Sequence, residues 1–389
     1  MLQYLKNNLK YILLAFSLIS SAIVVIPFRE YIYYMGLIYL FYYSLRNFKQ
    51  KISYGTCFLF FLLSCYISSL IALIFDYRLF AFTGIIISCT SITMSKKLFI
   101  FRKRYLFNCL MTFPFLSIAS LLCYYLGINY FTFADGSKGS ILDFSGFFPH
   151  PMWLGAATGL SNIVLIWLIF TTQKIALKIV YTLILLLSIY MSIIAASRSA
   201  FFASLLSMVF FLILKLRDIK KIIILGSIIS ILTIITIPIY LSGAERMQDK
   251  FENAEGKYGS RTGIVTIGIK HFKENPLFGT GFAVSYNSEN EKVIGRMESG
   301  SGWLSILFQT GIIGFTIVII SVSKIYKVIK YTKYDNKLLL FINSFLFLCL
   351  HSIFEGYILT IGYYLCILFW TLLGYLYSYQ HYKKIALIA

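Results

Sequence analysis

Residues 177–196 read LKIVYTLILLLSIYMSIIAA, a run of twenty residues with a single charge, at Lys178. A helix of about 20 residues crosses the hydrocarbon core of a bilayer, which is about 30 Å thick. The rest of the chain is similar, because 59% of its 389 residues are apolar and only 13% are charged. Soluble chains have about 45–50% apolar and about 25% charged residues. Since so few polar side chains cannot form a water-facing surface, the sequence predicts an all-α polytopic membrane protein.

Apolar stretches of this kind recur along the chain, and they predict about 12 transmembrane helices. They are 11–27, 31–45, 54–75, 79–95, 105–127, 152–170, 177–196, 199–214, 221–241, 302–323, 338–354 and 357–378. The stretches 31–45 and 199–214 are short for a full crossing. We expect tilted partners of neighbouring helices or half-spans at these two places.

The charged residues predict the orientation of these helices. With the N-terminus placed in the cytoplasm, 23 of the 35 Lys and Arg residues fall inside and 13 of the 15 Asp and Glu residues fall outside. Basic residues concentrate in the cytoplasmic loops of membrane proteins. The net charge of +20 is therefore explained by topology, without nucleic-acid binding, and both termini are expected in the cytoplasm.

Polar residues that could carry function are concentrated outside. The predicted cytoplasmic loops are short and contain no G-x-x-x-x-G-K-[ST] sequence for a nucleotide. The seven cysteines lie in or beside apolar stretches without a C-x-x-C pair, which indicates packing residues. Function is therefore expected in the external segments 128–151 and 242–301, of which the second is the larger.

The larger segment contains a predicted amphipathic helix. Ser260 is a suitable N-cap, and Asn275-Pro276 predicts the end, because proline disfavours helix at the residue before it. The apolar side of this helix would suit the membrane surface. Arg261 lies in the first turn, where unpaired backbone N–H groups favour a phosphate. The alternative is a solvated arginine on a surface helix.

Three further residues lie at predicted external helix ends. Arg198 lies at membrane depth in a turn between two stretches with no charge near it, which is costly unless it faces water or binds an anion. Snorkelling to the interface is the alternative for Arg198. Glu355 and His351 are expected one helical turn apart at the outer end of the stretch 338–354. A paired or capping role and a catalytic role both fit these two residues.

Four short segments occur in order between residues 146 and 314. They are GFFPHPMWLG at 146–155, Ser197-Arg198-Ser199, Arg261 followed by ENPLFGTG at 274–281, and Trp303-Leu304 followed by QTGIIG at 309–314. Together they resemble the O-antigen ligase and polymerase superfamily, whose ligases and Wzy-type polymerases handle polyprenyl-diphosphate-linked glycans. The chain before residue 146 is similar to that family only in hydropathy.

The resemblance implies a glycosyltransferase of the C-type architecture, with its active site on the periplasmic side of a bacterial inner membrane. It implies that Arg198 and Arg261 grip the diphosphate of the donor and that no metal ion or cofactor is needed. Supporting roles are expected for His150, His271, Arg296 and His351. The expected division of the chain is an N-terminal set of transmembrane helices at 1–127, a ligase- and polymerase-like core at 128–323 that includes the periplasmic loop 242–301, and C-terminal transmembrane helices at 324–389.

One departure from the family's pattern bears on the reaction. Ligases of the superfamily carry a histidine just before the helix that contains GxxG, and the matching position here is about Gly300. Polymerases often have an acidic residue nearby, and Glu298 is close. The resemblance therefore favours a polymerase of O-antigen or a related surface polysaccharide, with Glu298 as the catalytic base and Glu355 as the second candidate.

The expected partners follow from this reading. They are undecaprenyl-diphosphate-linked repeat units and the lipid bilayer, with a chain-length regulator as a further candidate. The alternatives are an O-antigen ligase that transfers glycan to lipid A-core and, less favoured, a flippase for lipid-linked oligosaccharides. A flippase is not expected to carry its largest loop and most of its acidic residues outside.

Overall fold

The computed structural model describes residues 2–48, 55–131, 144–216, 260–286, 292–295, 300–333 and 335–388. The predicted apolar stretch 221–241 and the part of the predicted loop 242–301 that precedes Ser260 lie outside these residues. The described chain is mostly helical. Its longer helices are α1 Leu2–Ile19, α2 Arg29–Arg46, α3 Thr56–Ile71, α4 Tyr77–Cys89, α5 Lys96–Tyr125, α6 Pro151–Thr171, α7 Ile175–Ile194, α8 Arg198–Leu216, α9 Ser260–Glu274, α10 Gly302–Ser323, α11 Asn336–His351 and α12 Tyr364–Ile388.

Five segments in the described residues are long and apolar enough to cross a membrane. They are α5, α6, α7, α8 and the stretch Gly302–Lys333, which begins with α10. This confirms a polytopic helical membrane protein, while the number of twelve crossings stays a prediction. The helix α8 has 19 residues and is not the short piece expected from 199–214. By contrast, α4 has 13 residues, which at about 1.5 Å per residue is less than the bilayer core.

Small and hydroxyl-bearing residues bring the central helices together. A chain of hydroxyl contacts links α5, α7 and α6, from Ser117 Oγ to Ser188 Oγ at 3.0 Å and from Ser188 Oγ to Ser161 Oγ at 3.0 Å. On another side of α6, a Cβ at Gly159 would lie 2.5 Å from the ring of Phe347 on α11. Close approach at small residues is how helices associate in lipid, where hydrophobic burial gives little driving force between them.

Charged residues that include Lys103 and Asp335 lie together at one end of the bundle, which we call the basic end. The helix α11 begins there with Asp335, whose Oδ1 accepts hydrogen bonds from the backbone N–H groups of Lys337 and Leu338. Lys103 Nζ lies 3.9 Å from Asp335 Oδ2, and Tyr379 on α12 donates to the same oxygen at 3.0 Å. The opposite end, which we call the site end, contains Arg198 at the start of α8.

The basic end corrects one expectation. Residues 96–104 were expected in a loop, but they form the first turns of α5, because Ser95 caps that helix by accepting a hydrogen bond from the N–H of Leu98. Arg102 is 1% exposed and Lys103 is 4% exposed. Arg102 donates to the carbonyl of Ser88 and to Thr93 Oγ1. The burial of these two cations could not be read from hydropathy.

The ends of α11 and α12 also differ from expectation. The predicted stretch 357–378 begins seven residues before α12, which starts at Tyr364. The helix α11 ends at His351, so Glu355 lies in the following loop and the two residues are not one helical turn apart. Residues 352–363 form this loop at the site end of the bundle.

A two-stranded hairpin completes the site end. Strands β1 Val284–Tyr286 and β2 Lys292–Ile294 pair antiparallel, with Val284 opposite Ile294. A Cβ at Gly295 would collide with the guanidinium of Arg78, so the end of β2 lies against the first turn of α4. The hairpin between α9 and α10 is therefore in contact with the N-terminal part of the chain.

Candidate active site

Arg198 is the first residue of α8, and a tight turn directs the chain into it. Ala196 has a φ of 48°, a left-handed conformation that reverses the chain after α7. The turn can sit directly on α6 because residue 155 is glycine: a Cβ there would collide with the side chain of Ser197. The first and second segments of the family resemblance, which contain Gly155 and Ser197-Arg198-Ser199, are thus brought into contact.

A buried carboxylate lies beside this turn. Glu355 is 5% exposed, and Ser199 Oγ lies 3.5 Å from Glu355 Oε1. The side chain of Arg198 is half-buried next to Ser199 in the same turn. A carboxylate and an arginine-bearing turn, 156 positions apart along the chain, therefore meet at the site end.

The loop that carries Glu355 is bound to the start of α10. The backbone N–H of Gly302 donates to the carbonyls of Ser352 at 2.8 Å and Glu355 at 3.0 Å. Trp303 Nε1 donates to the carbonyl of Cys349 at 2.9 Å. The helix α10 thus begins against the same loop, which links the fourth segment of the resemblance to the carboxylate.

The helix α10 is broken in the middle, at Gly311. This residue has a φ of 67° and a ψ of −173°, which no helix contains. A break inside an apolar bundle leaves backbone N–H and C=O groups that need partners. The ENPLFGTG segment supplies them: the N–H of Ile312 donates to the carbonyl of Pro276 at 2.9 Å, and the N–H of Thr280 donates to the carbonyl of Phe308 at 2.8 Å.

Two glycines permit this close approach of two backbones. A Cβ at Gly279 would lie 2.5 Å from the carbonyl oxygen of Phe308, and a Cβ at Gly311 would collide with the carbonyl of Leu277. Both glycines also have positive φ values, of 79° and 67°. The glycines in the third and fourth segments of the resemblance therefore serve one structural purpose. They allow the ENPLFGTG segment to fit into the break in α10.

The helix α9 has the predicted bounds, Ser260–Glu274, and it packs on α10 just before the break. A Cβ at Gly268 would collide with the ring of Phe308, and the rings of Phe272 and Phe308 are 6.1 Å apart. The structure describes the backbone of Arg261 in the first turn of α9, but its side chain lies outside the described residues. The meeting of Arg198 and Arg261 therefore stays a prediction.

The three histidines of the predicted site have identifiable contacts. His150 Nδ1 accepts a hydrogen bond from the N–H of Met152 at 3.1 Å, so this side chain caps α6. His351 is fully buried, with its ring 5.4 Å from the ring of Phe347 and 5.5 Å from the ring of Tyr357. His271 Nδ1 lies 3.3 Å from Glu274 Oε2 on the same helix. These contacts are structural, and catalytic support from the histidines stays a prediction.

Two predicted residues, Arg296 and Glu298, lie outside the described residues. Gly300, at the position where the superfamily's ligases carry histidine, is buried and has a φ of 76°. Within the described ranges, no three His, Cys, Asp or Glu side chains are grouped closely enough to hold a metal ion.

Sequence reasoning missed a set of buried polar residues behind this site. Gln309 and Ser68 are completely buried, and Ser69 is 1% exposed. All three contact the chain between Gly281 and Ala283. A glutamine inside an apolar stretch is costly without partners, so Gln309 could have been singled out from the sequence. The serines could not, because serine is common in membrane helices.

Comparison with known proteins identifies a family for part of the chain. The family model described as O-antigen ligase matches residues 183–319. This range contains Arg198, Arg261, the ENPLFGTG segment and the break at Gly311, and the match confirms the resemblance to the superfamily. It indicates a ligase- or polymerase-type function acting on lipid-linked glycans and does not separate the two. No curated protein matches the chain.

Proposed function

We propose that the protein is a polysaccharide polymerase. It transfers a growing glycan from undecaprenyl diphosphate onto a lipid-linked repeat unit at the periplasmic face of a bacterial inner membrane, and the product is O-antigen or a related surface polysaccharide. The observation that carries the proposal is the contact of Glu355 with Ser199 in the Ser197-Arg198-Ser199 turn. The turn lies inside the range 183–319 matched by the ligase family, and Glu355 follows that range along the chain.

The reaction breaks one bond and forms one. A hydroxyl of the acceptor sugar attacks the anomeric carbon of the donor, and the bond from that carbon to the diphosphate oxygen breaks. Polyprenyl diphosphate leaves with the electron pair, and the hydroxyl proton passes to a carboxylate. Energy is supplied by the diphosphate bond of the donor, which suits a compartment without ATP.

Arg198 and Arg261 would stabilise the leaving group. Fixed cations in a poorly hydrated site stabilise developing charge far more than they would in water. Arg198 is half-buried at the start of a helix, which suits this role. Two guanidinium groups can neutralise a diphosphate in place of a divalent cation, so polymerisation is expected to continue in the presence of a chelator.

The carboxylate that accepts the proton would be Glu298 or Glu355. Glu355 is buried, and its Oε1 lies 3.5 Å from Ser199 Oγ, next to Arg198, so it would be close to an acceptor hydroxyl bound beside this turn. General-base assistance contributes about 10²–10⁴-fold to a rate. We therefore expect Glu355→Gln or Glu298→Gln to lower the rate by that factor, with exposed Glu30→Gln as the matched control. Normal chain-length ladders in both active-site variants would exclude both carboxylates.

The second candidate is a ligase, because the matching family model is described as O-antigen ligase. It uses the same donor chemistry with lipid A-core as the acceptor. The glycine at position 300, in place of the ligase histidine, favours the polymerase.

A deletion strain separates the candidates. Loss of a polymerase leaves core capped by single repeat units. Loss of a ligase leaves polymer on the carrier lipid and bare core, and loss of a flippase leaves single units on the inner leaflet. Single-unit capping that is reversed by the wild-type chain supports the proposal, and either other phenotype contradicts it.

A further inference from the structure

Three buried polar side chains connect the external segment to the membrane helices. Ser68 Oγ donates to the carbonyl of Gln309 at 2.5 Å and accepts a hydrogen bond from the N–H of Gly281 at 3.0 Å. Ser69 Oγ accepts from the N–H of Phe282 at 3.3 Å. Gln309 Oε1 accepts from the N–H of Ala283 at 2.9 Å. Three successive backbone N–H groups are thus bound by side chains of α3 and α10.

These contacts are specific because the segment has no regular hydrogen bonding of its own at this point. Gly281 has a φ of 105° and Ala283 a φ of 59°, so neither belongs to a helix or a strand. A non-glycine residue with positive φ is strained and persists only where its surroundings fix it. The contact of Gln309 with the N–H of Ala283 is such a constraint.

The fixed segment is joined rigidly to α9. The N–H of Gly279 donates to the carbonyl of Asn275 at 2.8 Å, and the N–H of Asn275 donates to the carbonyl of Phe272 at 3.2 Å. No flexible linker therefore separates the bound residues from the end of the helix.

The length of α9 amplifies any movement at its fixed end. Arg261 lies thirteen residues from Glu274, which at about 1.5 Å per residue is about 20 Å along the helix. A small tilt of α9 about Glu274 therefore moves Arg261 several times further than it moves the residues next to Glu274. A misplacement of about 1 Å in a catalytic group can cost about 10²-fold in rate.

We propose that Ser68, Ser69 and Gln309 are positioning residues that hold α9 so that Arg261 faces the donor diphosphate. The proposal rests on the proposed function and extends it to α3, which lies outside the family match at residues 183–319. The N-terminal helices thus set the geometry of the donor site as well as anchoring the chain in the bilayer.

The kinetic test uses the full-length protein in detergent with a synthetic polyprenyl-diphosphate donor. Ser68→Ala and Gln309→Leu should each lower kcat/KM for the donor at least tenfold. Ser64→Ala is the matched control, because the hydroxyl of this α3 serine donates to the Phe61 carbonyl of its own helix. Ser68→Thr keeps the hydroxyl and should recover activity to within about threefold of wild type. Loss that Ser68→Thr does not recover would assign Ser68 a packing role only.

A double variant tests whether the effect passes through Arg261. If it does, Ser68→Ala should lower the residual activity of an Arg261→Lys enzyme by less than twofold, because effects of residues that act as a unit are not additive. A full tenfold further loss in that background would overturn the proposal.

A third measurement does not depend on catalysis. Spin labels at Thr266 on α9, eight residues from Glu274, and at Ile353 in the Glu355 loop, both exposed, report the distance between these elements by pulsed electron resonance. The distribution should be narrow in wild type and Ser64→Ala and broad or shifted in Ser68→Ala. An unchanged distribution contradicts the positioning role. If the distribution broadens in Ser68→Ala but the wild-type protein makes no polymer, the positioning role is intact and the proposed function is contradicted.

Discussion

Arg198 shows how a single side chain depends on the residues around it. It reaches the site end only because Gly155 lets the preceding turn lie on α6 and because Ala196 accepts a left-handed conformation. Its environment combines partial burial with a nearby carboxylate. Such a cation has a large effect on a transition state that gains negative charge.

We predict that Arg198→Ala abolishes polymer formation while the protein still inserts into the membrane. Arg198→Lys should retain at most a few per cent of the activity, because lysine keeps the charge but cannot bind a diphosphate through two parallel N–H groups. The measurement is the chain-length ladder in a complemented deletion strain, with membrane levels followed by immunoblot. Exposed Arg46→Ala at the basic end is the control. Full-length polymer from Arg198→Ala would show that this arginine is not part of the site.

A second prediction at the scale of single residues concerns the glycines at the break in α10. Gly311→Ala and Gly279→Ala should each destabilise the protein by on the order of 2 kcal/mol, from positive φ and from collision with a backbone carbonyl. Gly362→Ala is the matched control, because a Cβ there meets no atom within 4 Å. Thermal unfolding in detergent gives the comparison. Equal midpoints for all three variants would mean that the break tolerates side chains.

Among the elements, α10 is the clearest departure from a simple membrane helix. Its two halves meet at Gly311, and the backbone of the segment that follows α9 forms hydrogen bonds with both of them. Discontinuous helices in membrane proteins commonly lie at binding sites, because the broken backbone must face protein or water. Here protein backbone fills the break, so the break serves to attach α9 to the bundle.

The helix α11 is fixed at both ends, and its beginning can be tested separately. Asp335 caps the helix and lies near Lys103, with both side chains almost fully buried. Asp335→Asn should destabilise the protein by on the order of 3 kcal/mol, because it leaves a buried ammonium without its carboxylate.

The paired replacement provides the control. Adding Lys103→Met to Asp335→Asn should recover most of the loss, because asparagine still caps the helix and the unpaired charge is gone. Thermal midpoints of the two single variants and the double variant give the coupling energy. Additive losses would mean that Lys103 and Asp335 act independently.

At the scale of the whole molecule, charged and polar residues lie at the two opposite ends of the helix bundle. The basic end contains Lys103 and Asp335 and the predicted cytoplasmic lysines. The site end contains Arg198, Glu355, α9 and the hairpin. A protein that uses a lipid-linked donor at one membrane face requires such a separation, because the reaction must stay on one side of the bilayer.

This arrangement predicts which positions are accessible from outside the cell. A cysteine at exposed Lys273 on α9 should react with a membrane-impermeant maleimide in intact cells. A cysteine at exposed Lys333 near the basic end should react only after permeabilisation. The chain with its own seven cysteines gives the background. Labelling in the reverse order would invert the topology and place the proposed site in the cytoplasm.

The sequence by itself determined the class of the protein, most helix positions and the bounds of α9. These follow from local properties: apolar length, a capping serine and a proline that stops a helix. The superfamily was also recognisable, since its motifs are short runs of residues. Arg198 could be singled out because a charge at membrane depth is costly, and Arg261 because it lies in the first turn of the predicted helix. Glu355 could be singled out because it lies at a predicted external helix end.

Only the tertiary structure decided which of these residues meet and why the motifs contain glycine. The contact of Glu355 with the Ser199 turn, the filling of the break at Gly311 and the binding of residues 281–283 by Ser68 and Ser69 join positions that are far apart along the chain. Hydropathy cannot find such pairs, because it depends on one stretch at a time. A hydrogen bond between distant backbone and side-chain groups depends instead on how the helices pack.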